Sequence, residues 1–226
     1  MAAARAYLDH ASTSPLRPEG RDALVAWLDT TGDPGRIHAE GLTTRVAVEE
    51  ARAAVADLVG ARPREVVFTS GATEAIAAAC WGASERGAHQ VAPAIEHSAV
   101  RHAAARHGAV TVVGVDGRGR VAVDDLLAAV RDDTGLVHLQ WGNHEVGTTQ
   151  PVAEAVAACR ARGVLVHVDA AQAVGRVPVA FRVPCTTSTG SPATTLSIAE
   201  PSADSVTTAS GLFVRISPWR MATSPL

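Results

Sequence analysis

The sequence predicts an α/β fold in which a mostly parallel sheet is flanked by helices. Strand-like and helix-like segments alternate between about residues 60 and 170, and this alternation is typical of βαβ units. The strands are short apolar runs rich in β-branched residues, whereas the helices are rich in alanine. Such sheets bind ligands at the carboxyl ends of their strands. We therefore expect the functional residues to follow the strands directly.

Five strands and four helices are predicted in this region. In chain order they are the strand Glu65–Thr69, the helix Thr73–Glu85, the strand Gln90–Pro93, the helix Ser98–His107, the strand Ala109–Val115, the helix Asp124–Arg131, the strand Gly135–Trp141, the helix Val152–Arg162 and the strand Val164–Asp169. Gly163 follows the last helix directly, where a C-terminal stop is expected. Two further helices, Pro18–Leu28 and the amphipathic Leu42–Leu58, are predicted ahead of this region.

The C-terminal part of the chain differs in character from the rest. Residues 183–226 are more than a third serine and threonine, with no clear period, and only Gly211–Ile216 resembles a strand. We therefore predict a large domain over residues 1–182 and an irregular tail over 183–226, with the boundary near Phe181–Val183. A flexible polar tail and a segment translated after loss of the original reading frame both account for this change.

The composition argues against several classes of protein. The chain has 226 residues, 47% of them hydrophobic, a net charge of −3 and no basic block, which disfavours a nucleic-acid binder. It starts without the apolar stretch of a signal peptide, and no apolar run would span a bilayer, so we expect no membrane contact and a cytoplasmic location. Cys80, Cys159 and Cys185 lie far apart and indicate neither a zinc site nor a disulfide framework, so no metal site is predicted.

Two candidate ligand-binding groups lie at the first and last strands of the alternating region. The small residues of the turn from Thr69 to Glu74 leave backbone N–H groups at a helix start free to hold an anion, although most such turns bind nothing. Asp169 ends the apolar strand VLVHVD, and Gln172 follows closely enough to reach the same ligand. A carboxylate at this position is equally typical of a turn or a helix cap.

Two more polar groups follow strands in the same way. Glu96 and His97 come after the strand around Val91, and Asn143–Gly147 (NHEVG) comes after the strand ending at Trp141. A single histidine of this kind is more often a hydrogen-bonded surface residue than a catalytic one. Because all four groups lie at the carboxyl ends of strands, together they predict a pocket for a small, planar, anionic ligand.

Six motifs in order resemble the cysteine desulfurase branch of the class-V aminotransferases. They are Tyr7–Pro15 (YLDHASTSP), Gly32–His38 (GDPGRIH), Phe68–Glu74 (FTSGATE), Glu96–His97, Asn143–Gly147 and His167–Gln172 (HVDAAQ). The resemblance runs from about Tyr7 to Phe181. It implies the large domain of a transferase that depends on pyridoxal 5′-phosphate. The implied reaction takes sulfur from cysteine, leaves alanine and holds the sulfur on the enzyme for iron–sulfur cluster or thio-cofactor assembly.

The resemblance also implies roles for individual residues. Ala72 and Thr73 would hold the cofactor phosphate. His97, the catalytic residue among them, would stack on the pyridine ring and assist proton transfer. Asp169 would pair with the ring nitrogen and keep it protonated, and a protonated ring is the electron sink that stabilises a carbanion on the substrate.

Two further cofactor-binding residues follow from the same resemblance. Gln172 would donate a hydrogen bond to the phenolic oxygen of the ring. His144 stands where the family has a second asparagine and can still donate a hydrogen bond. The family further implies a homodimer with active sites near the subunit interface, a cysteine substrate and a sulfur-acceptor protein.

The chain departs from the family in its lysines, because all twenty Lys+Arg residues are arginine. The family uses a lysine amine for its Schiff base, within an SGHK motif whose place falls near Thr194–Ser197, and arginine stays protonated and cannot replace it. We also expect the chain to lack the family's C-terminal domain, with its persulfide cysteine. Cys80 and Cys159 are expected in the core, and Cys185 matches no family position. We therefore expect non-covalent cofactor binding at best and no turnover by this chain.

Alternative interpretations stay open at this point. A non-catalytic cofactor-binding or partner protein on the same scaffold, paired with a full-length homologue, fits the same motifs. A selenocysteine lyase fits them as well as a cysteine desulfurase does. A dinucleotide binder is disfavoured because no G-x-G-x-x-G follows a strand, and Gly114–Gly119 (GVDGRG) lacks that spacing.

Overall fold

The computed structural model describes residues 5–179 and, in the tail, the backbone of 205–209 and 212–216. The helices are α1 (Pro18–Trp27), α2 (Ala39–Val59), α3 (Ala72–Ala83), α4 (Ser98–Ala105), α5 (Val123–Ala128) and α6 (Val152–Ala161), and the strands are β1 (Val66–Phe68), β2 (His89–Pro93), β3 (Ala109–Val113), β4 (Thr134–Gln140), β5 (Leu165–Asp169), β6 (Ser205–Ala209) and β7 (Leu212–Ile216). Every helix and strand that the sequence predicts is present, with ends that differ by at most three residues.

All seven strands form one sheet in the order β1-β7-β6-β5-β4-β2-β3. The neighbours from β6 through β5, β4 and β2 to β3 are parallel, and β7 is antiparallel to both β6 and β1. Because β7 is antiparallel to both of its neighbours, β1 runs in the same direction as β6, and therefore as β5 and β4. The predicted α/β class with a mostly parallel sheet is confirmed, and α3 begins at the same edge of the sheet at which β4 and β5 end.

The tail contributes two strands to this sheet, of which the sequence predicts one. Leu212–Ile216 agrees with the predicted strand, whereas Ser205–Ala209 lies in a segment predicted to be irregular. The backbone of β6 pairs with β5, and that of β7 pairs with β6 and β1, so both are interior strands. The domain boundary predicted near Phe181–Val183 lies outside the described residues and stays a prediction.

One face of the sheet packs through apolar side chains. Val137 and Leu139 of β4 and Val166 and Val168 of β5 alternate along their strands and point to the same side, where they form a buried cluster with α5 and α6. The residues between these valines and leucines point to the other face of the sheet, which α3 covers. There Ala83 of α3 packs against one leucine of β4 and one leucine of β5. The apolar cluster is the larger core and anchors the strands that end at the candidate site.

The face under α3 contains a row of buried polar side chains. His138 of β4 and His167 of β5 are paired in register and fully buried, with their Nδ1 atoms 2.9 Å apart. His138 Nε2 donates to Gln90 Oε1 at 2.7 Å. Burial lowers the pKa of both histidines, that of His167 to about 3. Both rings are therefore neutral, so His138 Nδ1 must accept the hydrogen bond that His167 Nδ1 donates.

The packing divides the chain into two compact units, Met1–Ala54 and Val55–Leu226. In the first unit the hydroxyl of Tyr7 donates to backbone oxygens two and six residues further on. Gly32 lies against the first turn of α2, where an added Cβ would come within 2.4 Å of the carbonyl oxygen of Glu40. The GDPGRIH motif therefore needs glycine at its first position for close packing.

Candidate functional site

Three strands that lie side by side in the sheet, β2, β4 and β5, end at the candidate site. Asp169 is the last residue of β5 and is 5% exposed. Its carboxylate Oδ1 accepts a hydrogen bond from the N–H of Ala171 at 3.0 Å, and its backbone oxygen accepts one from Trp141 at 2.8 Å. These contacts hold the carboxylate at the edge of the sheet, where the sequence places it.

The charges around Asp169 identify which predicted residues lie near it. Burial raises the pKa of the Asp169 carboxyl, while the N–H of Ala171 and the charges of His97 and His144 oppose that increase. His97 follows β2, His144 follows β4 and Asp169 ends β5. The ends of these three strands therefore bring both histidines close enough to Asp169 for their charges to act on its carboxyl group. The structure thus brings together three of the six predicted site residues, whose roles remain predictions.

His97 caps the N-terminus of α4. Its Nδ1 accepts a hydrogen bond from the N–H of Ala99 at 3.2 Å, and its side chain is exposed. His97 is therefore a hydrogen-bonded surface histidine and also a neighbour of Asp169. Its place on the surface does not exclude a role toward a ligand at Asp169.

His144 lies in a tight loop that Asn143 organises. Asn143 Oδ1 accepts hydrogen bonds from the N–H groups of Glu145 at 2.9 Å and Val146 at 3.0 Å, and its Nδ2 donates to Gln140 Oε1 at 3.1 Å. His144 Nδ1 is buried and has no hydrogen-bond partner among the described residues. Asn143 belongs to a motif recognised in the sequence, but its function in the loop depends on contacts that only the fold creates.

Glu96 is a buried carboxyl group that the sequence analysis noted without a role. It is 4% exposed, and neither of its carboxyl oxygens has a hydrogen-bond partner in the described part of the chain. Burial and the nearby charge of Asp169 raise its pKa to about 8. The backbone N–H groups of Gln140 and His97 favour the ionised form and oppose this increase only in part, since neither has the geometry of a hydrogen bond to the carboxyl oxygens. Its position immediately before His97 is the signal that could have identified it from sequence.

The start of α3 offers free backbone donors at the same edge. Gly71 is the N-cap and makes no side-chain cap, so the N–H groups of Ala72 and Thr73 in the first turn have no capping partner. The carboxylate of Glu74 instead accepts hydrogen bonds from the N–H and hydroxyl of Ser70, at 2.7 and 2.6 Å. A Cβ added at Gly71 would meet nothing within 4 Å, so there is open space in front of this turn for an anion.

Gln172 lies in the turn after β5 and is half-buried. The carbonyl oxygen of its side chain accepts a hydrogen bond from Nη1 of Arg176. The N–H₂ group is the donor of this amide, and the donor role that the resemblance implies for Gln172 stays a prediction.

The described cysteines belong to the core. Cys80 of α3 and Cys159 of α6 are fully buried, and burial raises their pKa values to about 12 and about 11. Thiols in this state are poor nucleophiles. Cys185 and the segment Thr194–Ser197 lie outside the described residues.

The described residues offer neither a metal site nor a membrane-spanning helix. Their histidines, cysteines and acidic residues form no group of three or more suited to a metal ion. Within the same part of the chain, no helix is both long enough and apolar enough to cross a membrane.

Comparison with known proteins adds independent evidence. A family model for class-V aminotransferases matches residues 6–183. The cysteine desulfurase IscS of Neisseria gonorrhoeae is 41% identical over 183 residues, which cover 76% of this chain and 45% of that protein. The chain thus spans about half the length of the curated relatives it matches.

Solved structures match the same part of the chain. A NifS-like protein superimposes with a TM-score of 0.71 at 31% identity, covering 75% of this chain and 50% of that one. SspA, solved in complex with cysteine, has a TM-score of 0.73 at 27% identity, covering 77% of this chain and 53% of its own. These likenesses support the fold class, a mostly parallel sheet flanked by helices.

Proposed function

The chain belongs to the class-V aminotransferase family, and on this premise we propose that it binds pyridoxal 5′-phosphate at the carboxyl edge of its sheet. The observation that carries the proposal is the buried carboxylate of Asp169, with the charges of His97 and His144 acting on it and the uncapped start of α3 at the same edge. A cationic ring nitrogen and a phosphate are the two groups that this arrangement suits.

The phosphate end of the proposal depends on the first turn of α3. The N–H groups of Ala72 and Thr73 have no side-chain cap, and the positive end of the helix dipole favours an anion there. The hydroxyl of Thr73 provides one more donor. Because the carboxylate of Glu74 is held by Ser70, it does not occupy the place that the phosphate would take.

The ring end depends on Asp169. A carboxylate that burial destabilises gains most from a cation beside it, so it would hold a proton on the ring nitrogen. His97 has an exposed ring whose orientation is set by its cap to Ala99, which suits stacking on a flat ligand. When bound, the cofactor supplies the electron sink for carbanion chemistry.

The cysteine desulfurase type is the finer part of the proposal. It is supported by the six motifs, by relatives named cysteine desulfurases and by the similarity to a structure in complex with cysteine. We propose cysteine as the substrate class of the complete enzyme, with alanine and enzyme-bound sulfur as products. A homodimer and a sulfur-acceptor protein are proposed on the same grounds.

For the chain alone we propose cofactor binding without turnover. Its sequence contains no lysine, and the guanidinium of arginine is too weak a nucleophile at neutral pH to form the Schiff base. A chain that binds the cofactor but forms no alanine would agree with the partner-protein interpretation as well. Formation of alanine from cysteine above a control without protein would contradict this part of the proposal.

The test titrates the full chain with 4′-deoxypyridoxine 5′-phosphate, a cofactor analogue that lacks the aldehyde and binds without a lysine. We expect Asp169→Asn to weaken binding at least tenfold, since a hydrogen bond to a charged partner contributes about 1.5–3 kcal/mol. Glu154→Gln, which removes an exposed carboxylate from α6, serves as the control and should bind as the unaltered chain does. Equal affinity of all three chains would refute the assigned site.

A further inference from the structure

The buried carboxyl group of Glu96 has no part in the cofactor binding proposed above. Its carboxyl group is 4% exposed, and both oxygens lack hydrogen-bond partners among the described residues. A carboxylate buried in this way is costly unless it is neutral or paired with a cation. The position is also specific, since Glu96 directly precedes His97 and is close enough to Asp169 for the charge of Asp169 to act on it.

The two carboxyl groups ionise in a definite order. The charge of Asp169 contributes to the raised pKa of Glu96, and because repulsion between two carboxylates is mutual, their other contacts decide which of them ionises first. Asp169 also accepts a hydrogen bond from Ala171 and faces two histidines, His97 after β2 and His144 after β4. Asp169 therefore loses its proton first, and the pair keeps one proton at neutral pH.

We propose that Glu96 is a positioning residue that keeps its proton while Asp169 is ionised, so that the pocket presents a single negative charge to the cofactor's ring nitrogen. The proposal rests on the cofactor binding proposed above. When the positive charge of the ring lies beside Asp169, it offsets the charge that holds the proton on Glu96. Binding should therefore make this proton easier to lose, and the proton passes to solvent.

The test observes Glu96 directly in the full chain. Side-chain carboxyl carbons of ¹³C-labelled glutamate are titrated by NMR, and the Glu96 signal is assigned as the one missing from both Glu96→Gln and Glu96→Ala. We expect this titration to give a pKa of about 8 for Glu96. After saturation with 4′-deoxypyridoxine 5′-phosphate, it should titrate at least half a pH unit lower.

The outcomes separate this inference from the proposed function. If no glutamate carboxyl of the unaltered chain titrates above about pH 6.5, the inference is wrong even if neither variant folds. If the analogue binds but the Glu96 titration does not move, Glu96 has no role toward the ring and the cofactor site stands. If the analogue does not bind at all, the proposed function fails, and the role of Glu96 toward the ring fails with it.

Discussion

His167 should make the fold sensitive to acid, and replacing it by asparagine should remove part of that sensitivity. The ring is fully buried, its Nδ1 lies 2.9 Å from Nδ1 of His138, and burial lowers its pKa to about 3. At pH 5 the folded chain therefore keeps His167 neutral, whereas the unfolded chain protonates it below about pH 6.5. The unfolded state binds more protons in this window, so stability falls as the pH is lowered.

The size of the effect follows from the two pKa values. Stabilisation by the neutral ring is complete above about pH 6.5 and is lost as the pH falls toward about 3. Between about pH 6.5 and 5 the difference is about 1.5 units, and each unit corresponds to about 1.4 kcal/mol, so His167 should account for about 2 kcal/mol. Asparagine has no titrating proton, and its amide can take the place of the Nδ1 side of the ring.

The assay is urea unfolding at pH 7 and pH 5 of the unaltered chain, of His167→Asn and of His102→Asn. His102 is exposed on α4 and serves as the matched control. Between the two pH values, the unaltered chain and the His102 variant should lose about 2 kcal/mol more free energy of unfolding than His167→Asn does. Equal losses in all three chains would show that His167 is not the buried neutral ring described above.

Three further predictions concern the site and the core. Glu96 has the opposite sign to His167: because its pKa is raised to about 8, the unaltered chain should lose stability as the pH rises from about 4.5 to 8. Glu96→Gln should remove that loss, which amounts to about 3 kcal/mol at pH 7 in urea unfolding. Asn143→Ala removes the acceptor of two backbone N–H groups and should lower the free energy of unfolding by about 1–3 kcal/mol; a change below about 0.5 kcal/mol would contradict the role of this side chain in the loop. In a Cys185→Ser background, a thiol reagent at pH 8 should label Cys80 and Cys159 only after unfolding, and rapid labelling of the folded chain would show that they are not core residues.

The secondary structure could be predicted because its signals are local. Alternating apolar runs and alanine-rich segments, with stops such as Gly163, mark each element without reference to the rest of the chain. Ser205–Ala209 was missed because its serine and threonine residues resemble the polar tail around them. Its strand is defined by pairing with β5 and β7, which are distant from one another in sequence.

The site could be predicted in part. Asp169, His97 and His144 each follow a strand, and the rule that ligands lie at the carboxyl ends of parallel strands is enough to single them out. The contributions of Glu96 and Asn143 could not be inferred in this way. The contribution of Glu96 depends on the exclusion of water from its carboxyl group. That of Asn143 depends on hydrogen bonds within its loop and on one to the backbone oxygen of Ile95, which follows a different strand.

The sequence by itself determined the order of helices and strands, the family resemblance and the identity of the polar residues at the strand ends, because each is written in short stretches of chain. Only the tertiary structure decided that Glu96, Asp169 and the His138–His167 pair are removed from water. Desolvation depends on every element packed around a group, and it sets which of these side chains hold a proton at neutral pH.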